Sequence, residues 1–210
     1  MIFQPPLPHA RGIALYRHWV GWGAVVLVWF IVIYGGCNWL TAQRTTRVRL
    51  DFEFERSIPV VPAMAYVYLS LTPLMWCSGW VLTDPREWRA LAFTMMAAIT
   101  LGGIGFLILP ADLAYPPLHE SLPVQWHGLF AFVRWLVGDH NLFPSLHVAL
   151  AWICMSAYCR EGPVRLQPVW IVWSGVIIAA TVLAHQHHLV DVVGGMVVGW
   201  LCFKLVYRRW

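Results

Sequence analysis

Charge is what this chain has least of. Only 11% of its 210 residues are charged while 60% are hydrophobic, far from the roughly 25% charged content of an ordinary soluble domain. That balance excludes a water-soluble globular fold. The formal net charge of +4 comes from arginines spread over many short loops, so there is no basic patch for a nucleic acid partner. There is no CxxC pair either. The five cysteines, Cys37, Cys77, Cys154, Cys159 and Cys202, are odd in number and sit mostly inside apolar runs. They read as small buried hydrophobes and not as a disulfide or metal framework. Internal repeats and low-complexity tracts are missing, which removes the usual sign of the paired broken helices of many transporters. Arg11 and Arg17 precede an apolar run at 19–40, but that run is too long for a signal-peptide core and has no small-x-small cleavage site. It is expected to be a membrane span.

Long hydrophobic runs, by contrast, fill the chain. They fall at about 19–40, 59–82, 88–110, 144–160, 164–184 and 188–207, each close to the ~20 residues that cross ~30 Å of hydrocarbon. The expected fold is all-α, a polytopic membrane helical bundle of about six transmembrane helices, built as a single integral membrane domain over residues 1–210. Pro59, Pro62 and Pro73 in the second run and Pro168 in the fifth predict kinks or ragged ends. With six crossings both termini share one side. That side would carry nine Lys and Arg residues (Arg11, Arg17, Arg86, Arg89, Arg160, Arg165, Lys204, Arg208, Arg209) against five on the other (Arg44, Arg47, Arg49, Arg56, Arg134). The positive-inside rule then predicts cytoplasmic termini in a bacterial inner membrane, with the opposite face toward the periplasm or an equivalent outside.

Two connections stand out. Residues 47–55 alternate charged and apolar side chains with period two, which suits a short extended or interfacial segment with aromatics in the headgroup layer. The longest connection, 111–143, contains Tyr115-Pro116-Pro117 and an amphipathic stretch at 124–137, and a long loop holding its own helix is usually functional or interfacial. In the last run, Gly195 and Gly199 form a small-xxx-small element, expected to let another helix of the bundle approach closely.

Against this apolar background, Pro144-Ser145-Leu146-His147 and His185-Gln186-His187-His188-Leu189-Val190-Asp191 are costly groups to place at a bilayer, and each is a functional hypothesis by default. The first begins the fourth run and the second begins the sixth, so two crossings between them return the chain to the same membrane face. His187 and Asp191 are spaced i, i+4 and face each other on a helix. A carboxylate on one ring nitrogen fixes the tautomer, frees the other nitrogen to attack and stabilises the cation that follows. His187 is thus a candidate nucleophile, Asp191 its orienter and His147 a proton donor to a leaving group. Pro144 suits a first helical turn, and the N–H groups beside the Ser145 hydroxyl offer an anion site. Metal or haem binding is a rival, since His147, His185, His187, His188 and Asp191 are possible ligands. Their clustering at one face, and the Pro-Ser-x-His context, speak against an axial haem ligand.

The two motifs resemble those of the type 2 phosphatidic acid phosphatase superfamily of membrane phosphatases and phosphotransferases. Pro144-Ser145-Leu146-His147 is similar to its Pro-Ser-x-His motif, and His187-x-x-x-Asp191 to the end of its third motif. The resemblance implies a phosphohistidine at His187, orientation by Asp191 and acid catalysis by His147, without a metal or other cofactor. Leu146 in place of the usual glycine, together with Asp51, Ile58-Pro59-Val60-Val61-Pro62, Tyr68-Leu69-Ser70 and the His-His-x-x-Asp context, looks more like the branch that includes inositol phosphorylceramide and sphingomyelin synthases.

The family's phosphate-binding arginines are absent where they are expected. Ala180 and Thr181 stand where the third motif has Ser-Arg, and Ile108 near Tyr115-Pro116 stands where the first has lysine. Electrostatic stabilisation of a transferring phosphoryl group is a large part of such catalysis, so His185, His188 and Arg134, with Ser145, are expected to bind phosphate. If one of these histidines is the cation, activity should fall as pH rises above about 6.5. The expected function is a membrane lipid phosphatase. Headgroup transfer from a phospholipid to an alcohol or ceramide-like acceptor is the alternative, because both use the same residues. The expected partner is a membrane lipid substrate, with no nucleic acid and no obligatory protein partner.

Overall fold

The computed structural model describes residues 8–115, 122–138 and 140–209; Pro116 and Pro117 lie outside the described residues. Among those described, helices joined by loops make up the chain, and the β-structure is one isolated parallel bridge between Val48 and Ala111. α1 (Pro8–Phe30) runs through a π-helical turn, Ile31–Gly35, into α2 (Gly36–Ala42). Three short helices follow, α3 (Met64–Leu69), α4 (Leu71–Trp76) and α5 (Ser78–Val81). The long helix α6 (Pro85–Ile108) leads through a loop to α7 (His127–Val137), and the fold closes with α8 (Leu146–Glu161), α9 (Gln167–Leu183) and α10 (Leu189–Leu205).

Local chemistry sets several of these boundaries. The Asp84 side chain accepts the Arg86 N–H at 2.8 Å, and Glu87 Oε2 accepts Thr83 N–H at 2.8 Å and Asp84 N–H at 3.1 Å, so the first turn of α6 has partners for donors that a helix leaves open. Pro85 and Pro168 both sit in first turns, where a missing N–H costs nothing. Pro168 therefore starts α9 and does not kink it. Pro73 acts differently. It can donate nothing to Leu69, and its ring crowds that carbonyl; the helix breaks at Ser70, whose hydroxyl donates to Val67 O at 2.6 Å.

Among the described residues, four helical stretches are long and apolar enough to cross a membrane: Leu15–Ala42, Pro85–Ile108, Val164–Leu183 and Leu189–Arg209. The runs at 59–82 and 144–160 also form helices, but the first is divided into α3, α4 and α5 and the second gives the 16-residue α8. α8 occupies the middle of the bundle, packed against α6, α9 and α10 and against α4 and α5, while α1 lies along α6. Its Ala149, Ala151, Ile153, Cys154 and Ala157 are fully buried. The Tyr158 hydroxyl donates to Leu74 O at 2.8 Å and pins α4 to it. The long helices instead turn large apolar side chains outward, among them Leu27, Val28, Ile31, Val32, Val172 and Val193. An exposed apolar surface of this extent belongs in lipid, and the protein is an integral membrane protein.

α8 and α10 approach each other closely. A Cβ at Gly195 would stand 2.4 Å from Ser145 O and 2.8 Å from Val148 Cβ, and one at Gly199 2.8 Å from Ala149 O. Gly195 and Gly199 therefore serve packing inside the bundle and bring the starts of α8 and α10 together. Gly195→Ala should cost about 1–3 kcal/mol through overpacking against backbone that cannot move aside. Gly175→Ala, with nothing within 4 Å of its added carbon, is the control. Thermal unfolding in detergent should show a lower midpoint for the first and none of that loss for the second.

Candidate active site

The two histidine motifs meet where α8 and α10 begin. Ser145 precedes α8, its hydroxyl accepting Val148 N–H at 3.4 Å, and its own N–H donates to Asp191 O at 3.0 Å. Pro144 is wedged among glycines, since a Cβ at Gly105 would meet its Cδ at 2.4 Å and one at Gly194 its Cβ at 3.1 Å. Small residues around this segment let Pro144-Ser145 lie against α10.

His187 Nδ1 stands 3.5 Å from Asp191 Oδ2. That is an ion-pair distance, longer than a formed hydrogen bond, and His187 Nδ1 and Asp191 Oδ1 make no hydrogen bond. Asp191 Oδ2 also accepts His188 N–H at 2.9 Å, so one carboxylate oxygen serves both the helix start and the His187 ring. His147 stacks on Tyr68, with ring centroids 3.8 Å apart and planes 14° from parallel, one ring behind a cavity whose wall includes Tyr68 but not His147.

That cavity, of about 500 Å³, opens beside these groups, with His187, Tyr68, His185 and Arg134 in its wall. α7 forms one side. His127, Phe130, Ala131 and Arg134 face the cavity at the i, i+3, i+4, i+7 spacing of one helical face, while Phe132, Trp135 and Leu136 are exposed on the other. The helix thus turns one face to the cavity and a largely apolar face outward.

The profile of the PAP2 superfamily matches residues 38–205, four-fifths of the chain. The chain belongs to the PAP2 superfamily. No curated protein of established function matches the sequence significantly. Among solved structures, LpxE of Aquifex aeolicus matches with a TM-score of 0.50 at 14% identity, covering 87% of this chain and 94% of that one. This likeness is one of fold. PAP2 membership supports reading the site as that of a lipid phosphatase.

Within this PAP2 fold, the residues expected to bind phosphate separate. Arg134 lines the cavity. Ser145 is fully buried as the cap of α8 and lies away from the cavity wall. His188 has both ring nitrogens engaged: Nε2 accepts Ala114 N–H at 3.0 Å, so Nδ1 carries the proton and donates to Glu55 Oε2 at 2.9 Å. It has no ring donor left for a substrate phosphate. His185, in left-handed backbone at φ 52°, lines the cavity and donates from Nε2 to Ile58 O at 3.0 Å. Burial depresses its basicity; the Ile58 carbonyl works the other way, but His188 nearby adds to the depression. Neither histidine is placed as the cation, and the expected loss of activity above pH 6.5 loses its basis.

A different pH effect follows for His185. Its folded pKa lies below the ordinary value, so between the two the unfolded chain binds the extra proton and stability rises with pH. The melting midpoint should climb with pH up to about 6.5 and, on this residue's account, level off above it. His185→Gln, uncharged throughout, should show a shallower climb; an unchanged slope would remove His185 as its source.

Several site residues escaped the sequence. Tyr115 lies over both His185 (3.9 Å) and His188 (4.5 Å), and its hydroxyl reaches His187 O at 3.5 Å. Burial, then the charges of Glu55, Asp191 and Asp51, push its phenol up, so it remains a donor. His127 donates from Nε2 to Leu122 O at 2.9 Å and shares the Arg134 face. Glu55 is fully buried. The loop ahead of it is extended as expected, with Val48 N–H donating to Pro110 O at 2.9 Å, Asp112 N–H donating to Val48 O at 3.1 Å and Arg47 paired with Asp112 and His140, but Glu55 itself lies in a short 3-10 helix, Glu53–Ser57, which the alternating pattern does not predict. Among the described residues, no three His, Cys, Asp or Glu side chains are grouped to hold a metal ion.

Proposed function

We propose that the protein is a membrane lipid phosphatase working through a phosphohistidine at His187. The observation that carries this reading is the His187–Asp191 pair, opening on a cavity that Arg134 also lines, within a PAP2 fold. With Asp191 beside Nδ1, the Nε2 lone pair of His187 is the one left to attack phosphorus, and the ester oxygen leaves with a proton from His147. Asp191 stabilises the positive ring of the phosphorylated histidine. Water, deprotonated by His147, then attacks phosphorus and releases inorganic phosphate. Arg134 supplies the positive charge in the wall for the phosphoryl oxygens. These steps use protein groups alone.

In this reading α8 and the broken α3–α5 segment complete six crossings, the termini are cytoplasmic and the cavity faces the periplasm across a bacterial inner membrane, as the arginine distribution favours. The test is phosphate release by purified protein from lipid phosphate monoesters, with and without ceramide or another alcohol. Inorganic phosphate with His187-dependent turnover supports hydrolysis. A new headgroup on the alcohol, with no phosphate release, would move the chain to the transferase function of the synthase-like branch. Arg134→Ala should raise KM and lower kcat/KM by about tenfold to a hundredfold, the scale of one lost charge-assisted contact of ~1.5–3 kcal/mol; an unchanged kcat/KM would remove it from the site.

A further inference from the structure

We infer that Glu55 is a positioning residue for the reaction, acting on His187 through the start of α10; this rests on the function proposed above. Glu55 lies 132 positions before His187 in sequence, yet its carboxylate is fully buried against that helix end. Oε2 accepts the His188 Nδ1 proton at 2.9 Å and Leu189 N–H at 3.1 Å, while Oε1 accepts Phe52 N–H at 3.1 Å. The carboxylate therefore holds the residue next to the nucleophile, the first N–H of α10 and its own loop at once. His188 passes the constraint on. Its backbone N–H donates to Asp191 Oδ2, the oxygen that faces His187 Nδ1, and its Nε2 is fixed by Ala114 N–H. Tyr115, stacked on His188, bonds the His187 carbonyl from the other side. The short 3-10 helix at Glu53–Ser57 thus sets the angle at which Asp191 meets the nucleophile without touching the substrate.

A carboxylate is required here for a stated reason. Three N–H donors converge on it, and an amide offers one acceptor oxygen. If the side-chain amide of Glu55→Gln turned its oxygen to His188 and Leu189, its NH₂ would oppose Phe52 N–H; if it turned the other way, two donors would be opposed. Flipping His188 to the other tautomer would set its Nε2 proton against Ala114 N–H. Every arrangement of the isosteric variant leaves a buried conflict at the start of α10. The loss expected is about tenfold to a hundredfold, the scale seen when a hydrogen-bond partner that orients a metal-bound histidine is removed.

The test uses full-length protein in lipid nanodiscs, with phosphatidic acid as substrate and nitrogen NMR of isotopically labelled histidine rings. Glu55→Gln should lower kcat about tenfold to a hundredfold with KM within about twofold, move the ring resonances of both His187 and His188, and keep a cooperative thermal transition. Glu55→Asp, charged but one methylene short, should fall between Glu55→Gln and wild type. Wild-type kcat in Glu55→Gln would overturn the proposal. So would a loss of kcat that only tracks a loss of folded protein, with the His187 resonance unmoved. If wild type releases no phosphate, or His187→Ala releases it normally, the proposed function is what fails. The resonance of His187 then decides alone: moved by Glu55→Gln it supports positioning, unmoved it refutes it.

Discussion

His187→Ala is expected to lower phosphate release by about 10⁴-fold or more, leaving the fold intact. Its size follows from covalent catalysis: without the imidazole there is no intermediate, and direct attack by water must do what two easier steps did. The side chain is buried at the start of α10, so its truncation should lower the melting midpoint somewhat, but it lies outside the apolar core and the protein should stay folded at the assay temperature. Asp191→Asn tests the same pair differently. An amide still accepts His188 N–H but no longer stabilises the charged ring, so kcat should fall steeply with KM little changed. Steady-state phosphate release, compared with thermal unfolding of each variant, checks both. A His187→Ala variant within tenfold of wild type would end the covalent reading.

The second large effect is expected at His147. As the acid that protonates the departing alkoxide, it should contribute about 10²–10⁴-fold with an alkyl phosphate. The same substitution should matter much less for an aryl phosphate whose leaving group needs no proton. His147→Ala is therefore expected to lose most of its activity on phosphatidic acid while keeping a much larger fraction on p-nitrophenyl phosphate. Equal losses on the two substrates would instead make His147 a positioning or binding group. The Tyr68 ring stacked on it gives a related check. Tyr68→Phe retains the stacking face and should retain the leaving-group dependence, whereas Tyr68→Ala frees the imidazole and should weaken it.

The placement of His147, His187 and Asp191 was legible in the sequence because it rests on local periodicity. An i, i+4 pair needs only a helix, and two motifs at the starts of alternate helices need only an even number of crossings between them. Tertiary closure was not legible. Glu55 sits in a run with Arg47, Arg49, Asp51 and Glu53, and nothing in that alternation marks one carboxylate of the set as buried against a helix start far along the chain. His188 and His185 illustrate the same limit. Residue type suggested cations for a phosphate, yet their ring donors go to Glu55 and to the Ile58 carbonyl, partners that only the folded loops supply. For the fold, the prolines of the second run announced disruption but not its form, a helix divided at Ser70 and again at Cys77. The fourth run read as a span of ordinary length, while α8 is short and central, with its buried face made of alanines and a cysteine.

A phosphohistidine mechanism requires a covalent bond between phosphorus and a ring nitrogen of His187, and that bond can be trapped. Purified protein is mixed with phosphatidic acid carrying a radiolabelled phosphate, quenched in base within a turnover, digested and mapped. The expected label survives base, is lost in acid and resides on the peptide containing His187. In His187→Ala that label should be absent. Turnover of the same preparation with no trapped label on that peptide, or with the label on another residue, would contradict the phosphohistidine mechanism.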